Sequence, residues 1–330
     1  MEKFKEFLSK KRWISIAFAT IFIGFILSFL SPAFLKVTNM QSILVQSSIT
    51  GIMAIGMTFI ILSGGIDISI GAILFFTSSL FAKLMQTNNS IPLVFAIAIL
   101  FALVLGAING VLIVKFKIAP LITTLATYTI YRGMAIHLTS AQNIPVPREV
   151  GFLGNGRVMG VPVPIILLLI IFIIGTYLFT KTKLGVYAMA IGNSENSAKE
   201  SNIPVYFVTI VVYIIGGFTA GIGSLILIAR VGGLQSGMGI GIEFTVIAAV
   251  VLGGTKLSGG SGTIIGSVIG AVFLVLIDNG LNLINASPYI YDVVKGGVLL
   301  AAVMIEKISI GRQSKLLLEQ KANRIRCSVE

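Results

Sequence analysis

The sequence predicts an all-α membrane protein. It reads as one domain over residues 1–330, a bundle of about ten transmembrane helices with both termini in the cytoplasm. Three observations predict this. The chain is 56% hydrophobic and only 11% charged, where a soluble domain carries about 25% charge. Its apolar runs are continuous, as over Ile165–Phe179, which suits helices and not the alternating strands of a membrane barrel. Its lysines and arginines are spread unevenly about those runs.

A helix needs about 20 apolar residues to cross a hydrocarbon core about 30 Å thick. By that measure the expected spans are 12–30, 42–62, 69–86, 93–114, 119–138, 163–180, 204–229, 241–256, 262–285 and 288–306. The basic start (Lys3, Lys5, Lys10, Lys11, Arg12) followed by Trp13–Leu30 resembles a signal peptide. The run is long for one and lacks a small-x-small exit, so it reads as a retained first helix. With the amino terminus inside, 17 Lys/Arg fall in inner segments and 5 in outer ones, the bias that sets orientation. The segments 1–11, 181–203 and 307–330 are then cytoplasmic. One span more or fewer would spoil the bias.

Several classes are excluded. The net charge of +12 flanks apolar spans, as topology signals do, so nucleic acid is not a partner. The lone Cys327 allows no internal disulfide. No phosphate loop, metal-spaced His/Cys/carboxylate set or nucleophile motif occurs. The chain is therefore expected to bind no metal or cofactor and to do no covalent chemistry.

Residues 181–203, KTKLGVYAMAIGNSENSAKESNI, form a polar interruption between two spans, a short helix suited to a soluble partner. The loop 139–162, with Pro145, Pro147 and Pro162 and followed by Pro164, is either an outer docking surface or a linker. Glycines recur four apart at Gly106 and Gly110, Gly217 and Gly221, and Gly262, Gly266 and Gly270. That spacing lets helix backbones approach closely, inside one bundle or across a dimer seam.

Two glycine breaks differ from this pattern: Ser63–Ser69, with Gly64, Gly65 and Asp67, and Leu252–Gly262, with Gly253, Gly254, Gly259 and Gly260. Each ends one apolar run and opens another. Asp67 or Ser69 is expected to cap the third span, and Ser258 or Ser261 the ninth. Paired breaks of this kind mark the moving centre of many transporters; two tight inner turns are the plainer reading.

Charged groups in or near spans are Asp67, Arg132, Glu243, Asp278, Asp292 and Lys295. Each should be paired, near an interface or facing water. Asp292 and Lys295 are spaced to pair on one helix face. Glu243, near an outer span end, is expected to reach the headgroups. Asn109, Asn279 and Asn282 are the candidate pathway residues, because amides both donate and accept and so suit a neutral hydroxylated solute. Interhelical hydrogen bonding is the other reading.

Three blocks carry a resemblance. GIMAIGMTFIILSGGIDISIGAI (Gly51–Ile73), GAINGVLIVKFKIAPLITTLATYTIYRGMA (Gly106–Ala135) and GIGIEFTVIAAVVLGGTKLSGGSGTIIGSVIGA (Gly239–Ala271) resemble, in order, the ribose-permease-like sugar permeases of bacterial ABC importers, within the branched-chain amino acid/ribose permease superfamily. The resemblance runs along nearly the whole chain after residue 40. It implies a type II importer-like fold and a multi-pass protein of the bacterial cytoplasmic membrane. It also implies a second permease copy, often identical, and an extracytoplasmic sugar-binding protein. A separate ATPase, commonly with two fused ATP-binding domains, would hold the ATP and Mg. The family pattern A-I-G-G-N-E-x-A-A-R-x-S-G-I matches Ala190–Ile203. This implies ATPase coupling through Gly192, Ser194, Glu195, Asn196, Ala198, Lys199, Glu200 and Ser201. Asn193 and Asn202 stand where glycines are usual, Lys199 where Arg is, and Lys256 where a small hydroxyl is. Apart from the resemblance, two alternatives stay open: a proton- or ion-coupled carrier using Asp67 or Asp278, and a membrane scaffold that transports nothing.

Overall fold

The computed structural model describes residues 12–87, 90–287, 290–291, 293–301, 303–304 and 308. The expected tails (1–11, and 307–330 apart from residue 308), with Cys327, and the residue Asp292 lie outside them.

The long helices follow the apolar runs. They are α1 (Arg12–Leu30), α2 (Val37–Leu62), α3 (Ile70–Thr87), α4 (Ile91–Phe116) and α5 (Pro120–Thr139). After a loop come α6 (Phe152–Asn155), α7 (Val163–Lys181), α8 (Lys183–Asn193), α9 (Glu195–Glu200), α10 (Val205–Val231), α11 (Ile242–Leu252) and α12 (Ile264–Leu283). Residues 293–301 are also helical. Among the described residues seven helices are long and apolar enough to cross a membrane: α1, α2, α3, α4, α7, α10 and α12.

Burial sorts these helices. The apolar window of α2 is 83% buried and that of α10 67%, against 11% for α1 and 22% for α7. Helices apolar on every side belong in a core or in lipid, and here α2, α3 and α10 form the core while α1 and α7 face outward. Around them α10 packs on α4, α2 and α3, and α12 packs on α2, α1 and α11. The four-apart glycines make these approaches within one bundle. A Cβ at Gly106 would lie 3.1 Å from Gly217 Cα, and Gly270 faces the backbone of Ala249. Hydroxyls tie the same helices, as Thr58 Oγ1 to Ser267 Oγ (2.7 Å) and Ser78 to Ser224 (2.9 Å between hydroxyls). Such bonds average about 0.6 kcal/mol in membrane bundles.

The expected span 241–256 is corrected. Helix α11 has 11 residues, about 16 Å at 1.5 Å per residue, and does not cross a bilayer alone. Gly241 (φ +78) precedes it and the Gly253–Gly254 turn ends it. The chain before it runs inward: β4 (Gly233–Leu234) pairs with β1 (Ile144–Pro145), yet Gly239 already lies against the backbone of Gly71 in the first turn of α3. With the hairpin of β2 (Arg157–Val158) and β3 (Val161–Pro162), this sheet marks one end of the bundle. Helices α8 and α9 lie beyond the far end of α7 and mark the other.

Candidate functional site

The polar segment 181–203 folds as two short helices. Thr182 Oγ1 accepts from Leu184 N (3.3 Å) to open α8, and Ser194 Oγ accepts from Ser197 N (3.2 Å) to open α9. On α9, Lys199 Nζ meets Glu195 Oε1 at 2.5 Å, i to i+4. The hydrogen bond to Glu195 holds the Lys199 ammonium above its ordinary pKa. Asn196, Glu200 and Ser201 are exposed, while Ala198 is buried and anchors the helix. Asn202 takes φ +56, a left-handed conformation that asparagine tolerates better than most residues. This explains an amide where the resembled pattern has glycine.

Both glycine breaks meet this segment. A Cβ on Gly192 would collide with Leu62 O, lie 2.5 Å from Gly260 N and 3.1 Å from Gly259 Cα. Gly260 N donates to Leu62 O (2.9 Å), and Gly64 Cα sits against Gly259. Gly64 (φ +80) and Gly260 (φ +76) need the left-handed freedom that only glycine has without strain. Asn193 Nδ2 adds a long 3.4 Å contact to Gly260 O. The end of α2, the end of α8 and the turn before α12 therefore touch backbone to backbone at one point. Helix spacing cannot foretell this, because the three segments are far apart in the chain.

The first break opens into a buried polar chain. Asp67 Oδ1 accepts from Ser69 N (2.8 Å) and Ser69 Oγ (2.6 Å), as expected of a cap for α3. Asn109 Nδ2 donates to Ser69 Oγ (2.7 Å), and Tyr131 Oη donates to Asn109 Oδ1 (3.3 Å). Thr124 Oγ1 accepts from Ile68 N (3.2 Å) and donates to Ile66 O (3.1 Å), so the irregular backbone is satisfied. Asn109 is thus fully buried as an interhelical tie, and it lines neither of the two cavities described below. The second break departs from expectation too. Thr263, not Ser258 or Ser261, caps α12 by accepting from Gly266 N (3.2 Å). Gly65 and Gly253 serve by close approach, Gly65 under Tyr213 Oη and Gly253 against the backbone of Gly266.

Two cavities bear on these residues. One of about 440 Å³ lies beside α9, lined by Ser63, Lys117, Glu195, Lys199 and Tyr213. The other, about 540 Å³, opens at the sheet end among α2, α10, α11 and α12 and contains Asn279 and Asn282 together. Asn39 and Asn279 exchange amide bonds in its wall (2.7 and 3.1 Å), Arg230 Nη2 reaches Ser42 Oγ (3.3 Å), and Lys295 Nζ pairs with Asp278 Oδ2 (3.0 Å). Lys295 thus bonds to a neighbouring helix; the expected Asp292–Lys295 pair involves Asp292, which lies outside the described residues. Asn39, Ser42 and Arg230 went unread as cavity residues; their only signal was polarity at span ends. Glu243 does not reach headgroups. It is 2% exposed, and its Oε1 accepts from Gly241 N (3.3 Å), because the inward run before α11 carries it into the bundle. No His/Cys/Asp/Glu group able to hold a metal occurs among the described residues.

Residues 39–303 match the family model described as branched-chain amino acid transport system / permease component. The chain belongs to this family. It is a multi-pass membrane permease, with relatives along most of its length. It is 41% identical over 285 residues to the ribose import permease protein of Bacillus subtilis (86% of this chain, 88% of that one). It is 36% identical over 297 residues to the ribose import permease protein of Haemophilus influenzae (87% and 91%). It is 38% identical over 288 residues to the D-allose transport system permease protein of Escherichia coli (84% and 86%). No solved structure matches this permease.

Proposed function

We propose that this permease is the membrane subunit of an ATP-driven importer that moves a monosaccharide, a pentose or hexose, into the cytoplasm of a bacterium. The observation that carries this reading is the meeting of α8 with both helix breaks at one end of the bundle. A push on α9 is delivered through Gly192 to the end of α2 and the turn before α12, which are the points where two helix pairs are broken. Residues 192–201 take that push from a separate ATPase that holds the ATP and Mg on two fused ATP-binding domains. The ends are oriented by charge, with α8, α9 and both tails inside. The cavity at the sheet end then faces the extracytoplasmic binding protein, and its amides accept a neutral, hydroxyl-rich solute. Two copies of the single domain 1–330 form the pathway. The relatives that carry ribose and D-allose in their names support a sugar over an amino acid.

The test is reconstitution of the permease with its partner ATPase and an extracytoplasmic binding protein. ATP-dependent uptake of a radiolabelled pentose or hexose is expected, and none from the permease alone. Uphill uptake by the permease alone on a proton gradient would refute the reading and favour a carrier working through Asp67 or Asp278.

A further inference from the structure

Arg132 and Glu243 are two charged groups inside the bundle that neither the coupling junction nor the cavity employs. Arg132 lies on α5, its guanidinium carbon 4.7 Å from the centroid of the Phe75 ring of α3. Glu243 lies in the first turn of α11 and is almost wholly buried. Its Oε2 rests on Gly71, where a Cβ would collide with it. So three elements close on one carboxylate: the first turn of α3, the middle of α5 and the start of the half-length α11.

The bonding is incomplete. Glu243 Oε1 has the Gly241 N–H, but Glu243 Oε2 and Arg132 Nη1 are both buried with no hydrogen-bond partner. Gly71 under the carboxylate and Phe75 under the guanidinium are four residues apart on α3, one helical turn. Two opposite charges, each with an orphaned atom in a low-dielectric interior, are costly apart and strongly favoured together. Side-chain rotation, or a small shift of α11 against α5, would join them. Helix α11 is the element with freedom to shift, since glycine turns bound it at both ends. Its far end reaches the turn that touches Gly192.

We propose that Arg132 and Glu243 form a latch. They stand apart in the conformation described here and pair directly in the alternate state of the transport cycle, locking the start of α11 against α5. They are positioning residues: neither needs to touch the solute. The proposal rests on the ATP-driven reading above, and its test begins from a complex whose ATP-dependent uptake has been established, so the two fail separately.

The experiment measures sugar moved per ATP hydrolysed by the reconstituted complex carrying Arg132→Gln, Glu243→Gln or both. Each single variant is expected to lower that ratio at least fivefold while still co-purifying with the ATPase. The double variant should fall no further than the worse single, because each residue acts through the other. Losses that multiply in the double, an unchanged ratio, or uptake and hydrolysis falling in equal proportion would each overturn the latch. If the Gln variants fail to assemble, Arg132→Lys and Glu243→Asp replace them, with the same criteria. They keep the charges and shorten their reach.

Discussion

Gly192→Ala separates local propensity from tertiary contact. Gly192 is the penultimate residue of α8, and in an isolated helix alanine is favoured over glycine by about 1 kcal/mol. The structure reverses the sign. The new Cβ would stand 2.5 Å from Gly260 N, where ordinary contact begins at 3.4 Å, and would also collide with Leu62 O. Helix α8 must back away by about 1 Å, and the Gly260 N–Leu62 O bond lies in the path. Overpacking costs about 1–3 kcal/mol and the lost hydrogen bond about 1. After the gain in propensity the net loss is about 1–3 kcal/mol. It falls at the junction proposed to pass motion to the breaks, so uptake should drop further than stability does. The assay is thermal unfolding in detergent beside ATP-driven uptake. The control is Gly133→Ala, where an added Cβ meets nothing within 4 Å. A Gly192→Ala protein with undiminished thermal stability and full uptake would refute the reasoning.

Glu195→Lys should abolish co-purification with the ATPase while leaving the melting temperature of the permease unchanged, because both side chains are exposed. Asn109→Ala removes the amide donor to Ser69 Oγ, while the Tyr131 hydroxyl keeps Leu105 O as its acceptor. Thermal unfolding should show a loss of about 1–3 kcal/mol, with the KM for uptake unmoved. Asn282→Ala should raise that KM several-fold without changing the melting temperature, since its side chain belongs to the cavity wall and not to an interhelical tie. Lys295→Met leaves Asp278 facing an apolar side chain in the cavity and should lower stability by about 1 kcal/mol; Asp278→Asn added to it should recover part of that loss.

Much of the site was legible in the chain, and particular residues show where legibility ended. The Gly64–Gly65 and Gly259–Gly260 breaks were visible because glycine clusters between apolar runs have few other uses. The Asp67 cap followed from its place two residues before Ser69. Thr263 was passed over for Ser258 and Ser261, because capping depends on which hydroxyl meets the first free N–H, and that is set by how far the turn continues. Glu243 was misplaced because hydropathy treats 241–256 as one span, while Gly239 and Gly241 turn the chain inward before α11 begins. Asn109 was read from its amide alone; only its burial beside Ser69 and Tyr131 assigns its bonds.

The sequence by itself determined the class of protein and marked 181–203 as a polar interruption between apolar runs. Hydropathy, charge and helix-breaking chemistry are properties of short windows, and lipid enforces them without regard to the rest of the chain. The tertiary structure alone decided that Gly192, Leu62 and Gly260 meet at one point. It also decided that α11 is half a span and that Arg132 and Glu243 both lie against the start of α3. Those relations join residues scattered along the chain, and they depend on how closely helix backbones approach. That distance is set by every side chain packed between them.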